Sequence, residues 1–147
     1  MRKVTSIIPQ KVEFIPERLE QGILYVSPKY KTAIHLCCCG CGKEVVTPLS
    51  ATDWSLKVTG NDVTLHPSIG NWSFECRSHY WIRNNRVVWA EDMSQAKIER
   101  GRAANLRRKA AYFEETNSKQ HTPKRNTPSG ESIISHIRAT IKRWIGL

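Results

Sequence analysis

Between residues 10 and 90, apolar and β-branched side chains recur at every second position in short runs separated by turn-forming residues. That is the period of half-buried strands, and no helical period competes with it. Val12 and Phe14 alternate before Pro16, Ile23 to Val26 form a second run, and Ala33 to Leu36 a third. Trp54, Leu56 and Val58 alternate into Thr59-Gly60-Asn61-Asp62, after which Val63 and Leu65 return, and this pattern predicts a hairpin. A second hairpin is predicted where Tyr80-Trp81-Ile82 and Val87-Val88-Trp89 flank Arg83-Asn84-Asn85-Arg86, because asparagine tolerates the positive φ of tight turns. After Trp89 the pattern changes. Ser94 can cap a helix, and Gln95 to Glu115 is rich in the helix formers Ala, Lys, Arg and Glu. Ile98, Leu106 and Phe113 are its sparse apolar anchors, which suggests a helix lying on the β core with a solvated basic face, weakened in the middle by Gly101.

The fold class expected is therefore mainly β with a C-terminal α-helix, a small α+β domain over residues 1–115. Residues 116–130 are polar, contain Pro123 and Pro128, and read as a flexible linker. Within 131–147, Ile133, Ile134, Ile137, Ile141, Trp144 and Ile145 fall at helical spacings, predicting a short amphipathic basic helix that docks on the core, in a partner's groove or at a membrane surface.

A chain of 147 residues, 39% of them hydrophobic, suits one domain with an appendage. Ile7–Ile8, broken by Pro9, is too short for a secretory core, and no stretch approaches the roughly 20 apolar residues of a membrane span. A cytoplasmic protein is expected. The net charge of +10 invites an acidic protein or nucleic acid, but much of the excess lies after Ser94, where aromatic residues are not interleaved with the arginines as a base-stacking platform requires.

The cysteines alter the picture most. Cys37, Cys38, Cys39 and Cys41 crowd together, and the fifth, Cys76, is followed three positions on by His79. Five thiols cannot all pair, and thiols so close in sequence are badly placed to bridge one another. A tetrahedral Zn2+ ion instead takes thiolates and imidazoles from two chain segments and gives a small domain much of its folding energy. On an extended chain His35, Cys37, Cys39 and Cys41 share a face, while Gly40 and Gly42 permit the tight turn of a metal knuckle. The ligand set stays open at this stage: Cys37, Cys39, Cys41 and Cys76; a set in which His79 replaces one of the first three; or one using Cys38 with Cys41.

That choice decides whether His79 is free to act as a general base. Ser78 faces away from it on a strand, so the better nucleophile candidate is Ser68, in the turn His66-Pro67-Ser68-Ile69-Gly70-Asn71, where amide hydrogens could meet an oxyanion. The plainer alternative is a serine that satisfies turn hydrogen bonds. Asp53 is a possible orienting carboxylate or a turn residue.

His35-Leu36-Cys37, Cys39-Gly40-Cys41-Gly42, Thr47-Pro48-Leu49, Trp54, Pro67-Ser68-Ile69-Gly70-Asn71-Trp72 and Cys76-Arg77-Ser78-His79-Tyr80-Trp81-Ile82 resemble, across roughly residues 10–112, a small bacterial zinc-binding family. Its members are often encoded beside ubiquitin-like proteins and their activating and conjugating enzymes. The resemblance implies an accessory protein of such a pathway, a peptidase that matures or deconjugates the ubiquitin-like protein. The family pattern has a non-cysteine at the position of Cys38, which favours Cys37, Cys39 and Cys41 as thiol ligands beside Cys76. Of the two mechanisms it leaves, a structural zinc bracing Ser68 and His79 is preferred to a catalytic zinc, because four thiolates leave no vacant position and no His-Glu-x-x-His helix is present. The rival reading is a non-enzymatic adaptor that binds acidic protein or nucleic acid through its basic helices.

Overall fold

The structure is a computed structural model that describes residues 3–120. Strands β1 (Ile8–Lys11), β2 (Ile23–Ser27), β3 (Thr32–Leu36) and β4 (Glu44–Pro48) form one sheet in that order. Strands β5 (Ser55–Thr59), β6 (Asp62–Gly70), β7 (His79–Arg83) and β8 (Arg86–Trp89) form a second, antiparallel throughout. Helix α1 (Gln95–Gln120) follows. The chain divides after Phe113 into two compact units, the second described only at the end of α1.

Both expected hairpins form, because their turn chemistry is local. Thr59 faces Asp62 across a turn in which Gly60 has a φ of +61°. Arg83 faces Arg86, with Asn84 and Asn85 at φ of 46° and 62°. Asn85 also accepts from the Val63 amide through Oδ1 and donates to Asp62 through Nδ2, tying one hairpin tip to the other.

The first strand departs from its sequence pattern. It lies at Ile8–Lys11 and runs parallel to β2, whereas Phe14 is 61% exposed and packs on Tyr30 under the Lys29 ammonium. The alternation of Val12 and Phe14 suggested a later strand, but long-range pairing with β2 decides the register. The segment preceding β1 stitches the two sheets together: the Ile7 amide donates to Asn85 O and the Val87 amide to Thr5 O. Ile7, Leu24, Val45, Leu65, Ile69, Tyr80 and Ile82 then share one buried core, joined by Cys37 and Cys38. Each such large side chain contributes about 1.5–3 kcal/mol by leaving water.

Helix α1 begins where Ser94 O accepts from the amides of Lys97 and Ile98. Of its three apolar anchors only Ile98 is buried, at 3% exposure, while Leu106 and Phe113 remain 69% and 57% exposed. The stripe is too thin to pull more than one turn onto the strands. The helix continues through residues 116–120, the first positions expected in the linker, where Glu115 and Lys119 pair one turn apart. The rest of that linker and the amphipathic helix expected over 131–147 lie outside the described residues. Among the described residues no helix is long and apolar enough to cross a membrane.

Candidate active site and metal centre

Two loops, one from each sheet, bring the cysteines together. Between β3 and β4 the chain makes a tight knuckle in which the Cys37 amide donates to Lys43 O, the Gly40 amide donates to Cys37 O, and Gly40 and Gly42 take φ of 83° and 75°. A side chain at either glycine would be strained there. Between β6 and β7, residues 71–78 close on themselves through the Asn71 amide to Ser78 O, the Phe74 amide to Asn71 O and the Arg77 amide to Phe74 O.

The sulfurs of Cys37, Cys39, Cys41 and Cys76 all lie within 4.8 Å of one another. Cys37 Sγ is 3.3 Å from that of Cys39 and 3.9 Å from that of Cys76, and Cys41 Sγ is 3.9 Å from that of Cys76. A tetrahedral ion with bonds of about 2.3 Å sets its sulfurs about 3.8 Å apart, so these four could hold a metal ion. Burial pushes the Cys37 and Cys39 thiols up, so thiolates there call for a cation, while neighbouring groups place hydrogen-bond donors around the cluster. Asn71 Nδ2 donates to Ser78 Oγ at 2.8 Å, which leaves the Ser78 hydroxyl proton free to point at Cys37 Sγ, 3.1 Å away. Burial alone would raise the Cys76 thiol, but its contacts with the Ser78 side chain and amide and with Cys39 and Cys41 outweigh it and bring the thiol down to about 7. Cys38 faces the other way into the core, where burial pushes its thiol up to about 12.

His79 stands outside the sulfur cluster at the start of β7. Its Nε2 is 3.0 Å from Ser68 Oγ and its Nδ1 is 2.9 Å from Glu91 O. A carbonyl can only accept, so Nδ1 carries the proton and Nε2 accepts from the Ser68 hydroxyl. Trp72 and Trp81 pack on the imidazole at centroid distances of 5.0 and 5.4 Å. Ser68 reaches it because β6 advances from Leu65 to Ile69 while β7 advances only from Ile82 to Tyr80, so that His66, Pro67 and Ser68 ride on an irregularity of the ladder. Such bulges re-aim side chains. Ser78 turns the opposite way, to the sulfurs, as strand alternation requires.

Asp53 does not orient the imidazole. It pairs with Lys109 at 2.5 Å and accepts from Ser50, and Lys109 holds its carboxyl below the ordinary range. The orienting group is the Glu91 carbonyl, which sequence reasoning missed because a main-chain oxygen has no residue signature. Arg77 fixes that segment: its guanidinium makes a two-point contact with Asp92 at 3.0 and 2.9 Å and donates to Met93 O. Arg77 therefore links the metal-side loop to the carbonyl that holds the histidine.

Ser68 opens into a cavity of about 610 Å³ whose strand side includes Trp54, Gly70 and Trp72 and whose helix side includes Lys97, Gly101 and Arg102. The Trp54 indole N–H is buried without a hydrogen-bond partner. At Gly70 an added Cβ would lie 2.4 Å from Trp72 Nε1. Gly70→Ala is thus expected to displace Trp72 from the imidazole, lowering stability by about 1–3 kcal/mol in denaturant melts. An unchanged melt would refute the close packing.

Residues 11–90, more than half of the chain, match the bacterial ubiquitination-like system serine protease family, BubE. The chain belongs to the BubE family. The matched span contains the five cysteines, Ser68 and His79, and excludes α1. No curated protein and no solved structure is detectably similar to the chain. A serine protease family puts weight on the serine held by a histidine, and among the described serines Ser68 is the one with its hydroxyl on an imidazole nitrogen, the other such hydroxyl being that of Tyr80 on the buried His35.

Proposed function

We propose that this BubE-family chain is a peptidase that hydrolyses the bond following the carboxyl-terminal residue of a ubiquitin-like protein, with Ser68 as nucleophile and His79 as general base. The observation that carries this reading is the 3.0 Å Ser68 Oγ to His79 Nε2 contact, with Nδ1 pinned on Glu91 O. Ser68 Oγ attacks the scissile carbonyl carbon while its proton passes to Nε2. The carbonyl's π electrons move to oxygen, and collapse of the tetrahedral intermediate expels the amine, which takes that proton from Nε2. Water then attacks the Ser68 ester, giving one proton to Nε2, which passes it to Ser68 Oγ as the carboxylic acid leaves and ionises to solvent. Glu91 O holds the charged imidazole in place, where a triad would use a carboxylate.

The four sulfurs, on this reading, are the ligands of a structural Zn2+. An ion so held has no vacant position for water and supplies rigidity to the loop that precedes His79. Partners are the ubiquitin-like protein, its conjugates, and the activating and conjugating enzymes that load it.

The test uses a ubiquitin-like protein with a C-terminal reporter extension and a fluorophosphonate reagent, which forms an Oγ–P bond and releases fluoride. Reporter release should fall in step with modification of Ser68, read by peptide mass spectrometry. Release that persists after Ser68 is fully modified would remove it from the mechanism.

A further inference from the structure

Strand β5 covers only part of β6. Its register runs from Thr59 opposite Asp62 to Ser55 opposite His66, so Pro67 to Gly70 have β7 on one side and, among the described residues, no strand on the other. The chain before Ser55 turns away there: the Trp54 amide donates to Pro48 O and Trp54 O accepts from Ser50. The Asn71 amide donates to Ser78 O, which makes Asn71 and Ser78 a hydrogen-bonded pair of the ladder. Alternation then makes the neighbouring pair, Gly70 and His79, a non-hydrogen-bonded one, and the amide and carbonyl of Gly70 point to the vacant side. Among the described residues no hydrogen bond joins another segment to Gly70 from that side. An uncovered edge of this kind is a template for an added strand. It opens into the same cavity as Ser68.

The opposite wall gives the occupant's chemistry. Lys97 and Arg102 line it and neither has an ion-pair partner among the described residues, whereas Asp53 on the strand side is already taken by Lys109. Gly101 between them has nothing within 4 Å of an added Cβ, leaving width for a second backbone. We infer that the substrate's tail binds as an extended strand paired with the Gly70 main chain, carrying acidic side chains that meet Lys97 and Arg102. This rests on the reading of Ser68 as nucleophile, since a strand laid along Gly70 passes Ser68 about 7 Å further along β6, within reach of an Oγ attack.

The probe is a semisynthetic ubiquitin-like protein, released as a C-terminal aminocoumarin amide, in which single tail amides are replaced by esters so that one N–H donor disappears at a time. With the full zinc-loaded chain, kcat/KM should fall about five- to tenfold at the amide that reaches Gly70 O and hold steady at its two neighbours. A flat scan overturns strand addition. A second arm pairs Lys97→Glu/Arg102→Glu with tails of either charge. The variant should lose about tenfold through KM on an acidic tail and regain it on one with lysines at those positions. Equal losses on both tails overturn the acidic assignment. A flat scan alongside complete dependence on Ser68 leaves the peptidase reading standing, whereas release by Ser68→Ala ends both.

Discussion

Ser68→Ala and His79→Ala should each lower kcat by a factor on the order of 10³–10⁶, leave KM nearly unchanged, and cost together no more than the worse of the two alone. The reason is the single proton path between them. With His79 Nδ1 committed to Glu91 O, Nε2 is the nitrogen that receives the Ser68 hydroxyl, and in the proposed reaction neither residue has a function without the other. Both substitutions should leave the fold intact. Ser68→Ala removes one side-chain hydrogen bond, worth about 1 kcal/mol, and His79→Ala a ring held between Trp72 and Trp81. Single-turnover release with circular dichroism as control makes the measurement. Losses that multiply in the double variant would mean that the two residues act independently, and the proposed proton path would have to be abandoned.

How much of this was legible in the sequence depends on whether the cause was local. The two hairpins were readable because Gly60, Asn84 and Asn85 carry their positive φ within the turn itself. The first strand was misplaced because the partner that fixes it, β2, lies a dozen residues away, and alternation says nothing about which register wins. The apolar spacing of Ile98, Leu106 and Phe113 identified a helix, but a stripe cannot say how much core is available to cover it, and two of the three stand in solvent. Spacing drew attention to the cysteines because thiols separated by one or two residues fit one ion better than one another. Spacing alone left His79 between ligand and base; in the structure its nitrogens lie on Ser68 Oγ and Glu91 O, outside the sulfur cluster. The Glu91 carbonyl and the Arg77 clamp on Asp92 depend on how β8 leads into α1, which no residue type announces.

Stripping the metal should unfold the protein as well as silence it. The knuckle at 37–43 belongs to the first sheet and the loop at 71–78 to the second, so four thiolates around one cation would fasten the sheets where Cys37 enters the shared core. Structural zinc contributes about 10–16 kcal/mol of binding free energy, as much as the whole stability of a typical domain. Without it the sulfurs keep only weak mutual contacts, Ser78 loses the thiolate that orders its hydroxyl, and His79, the next residue, loses the fixed start of β7. One zinc per chain is therefore expected by elemental analysis, with loss of near-ultraviolet circular dichroism on strong chelation and recovery of both structure and release on adding zinc back. Cys76→Ala should reproduce the loss. Cys38→Ala provides the control: its sulfur faces the core, so the variant should bind a full equivalent of zinc and give up only about 1–2 kcal/mol of packing. A well-folded, active protein containing far less than one metal per chain would refute the brace, as would a Cys38→Ala variant that loses its metal.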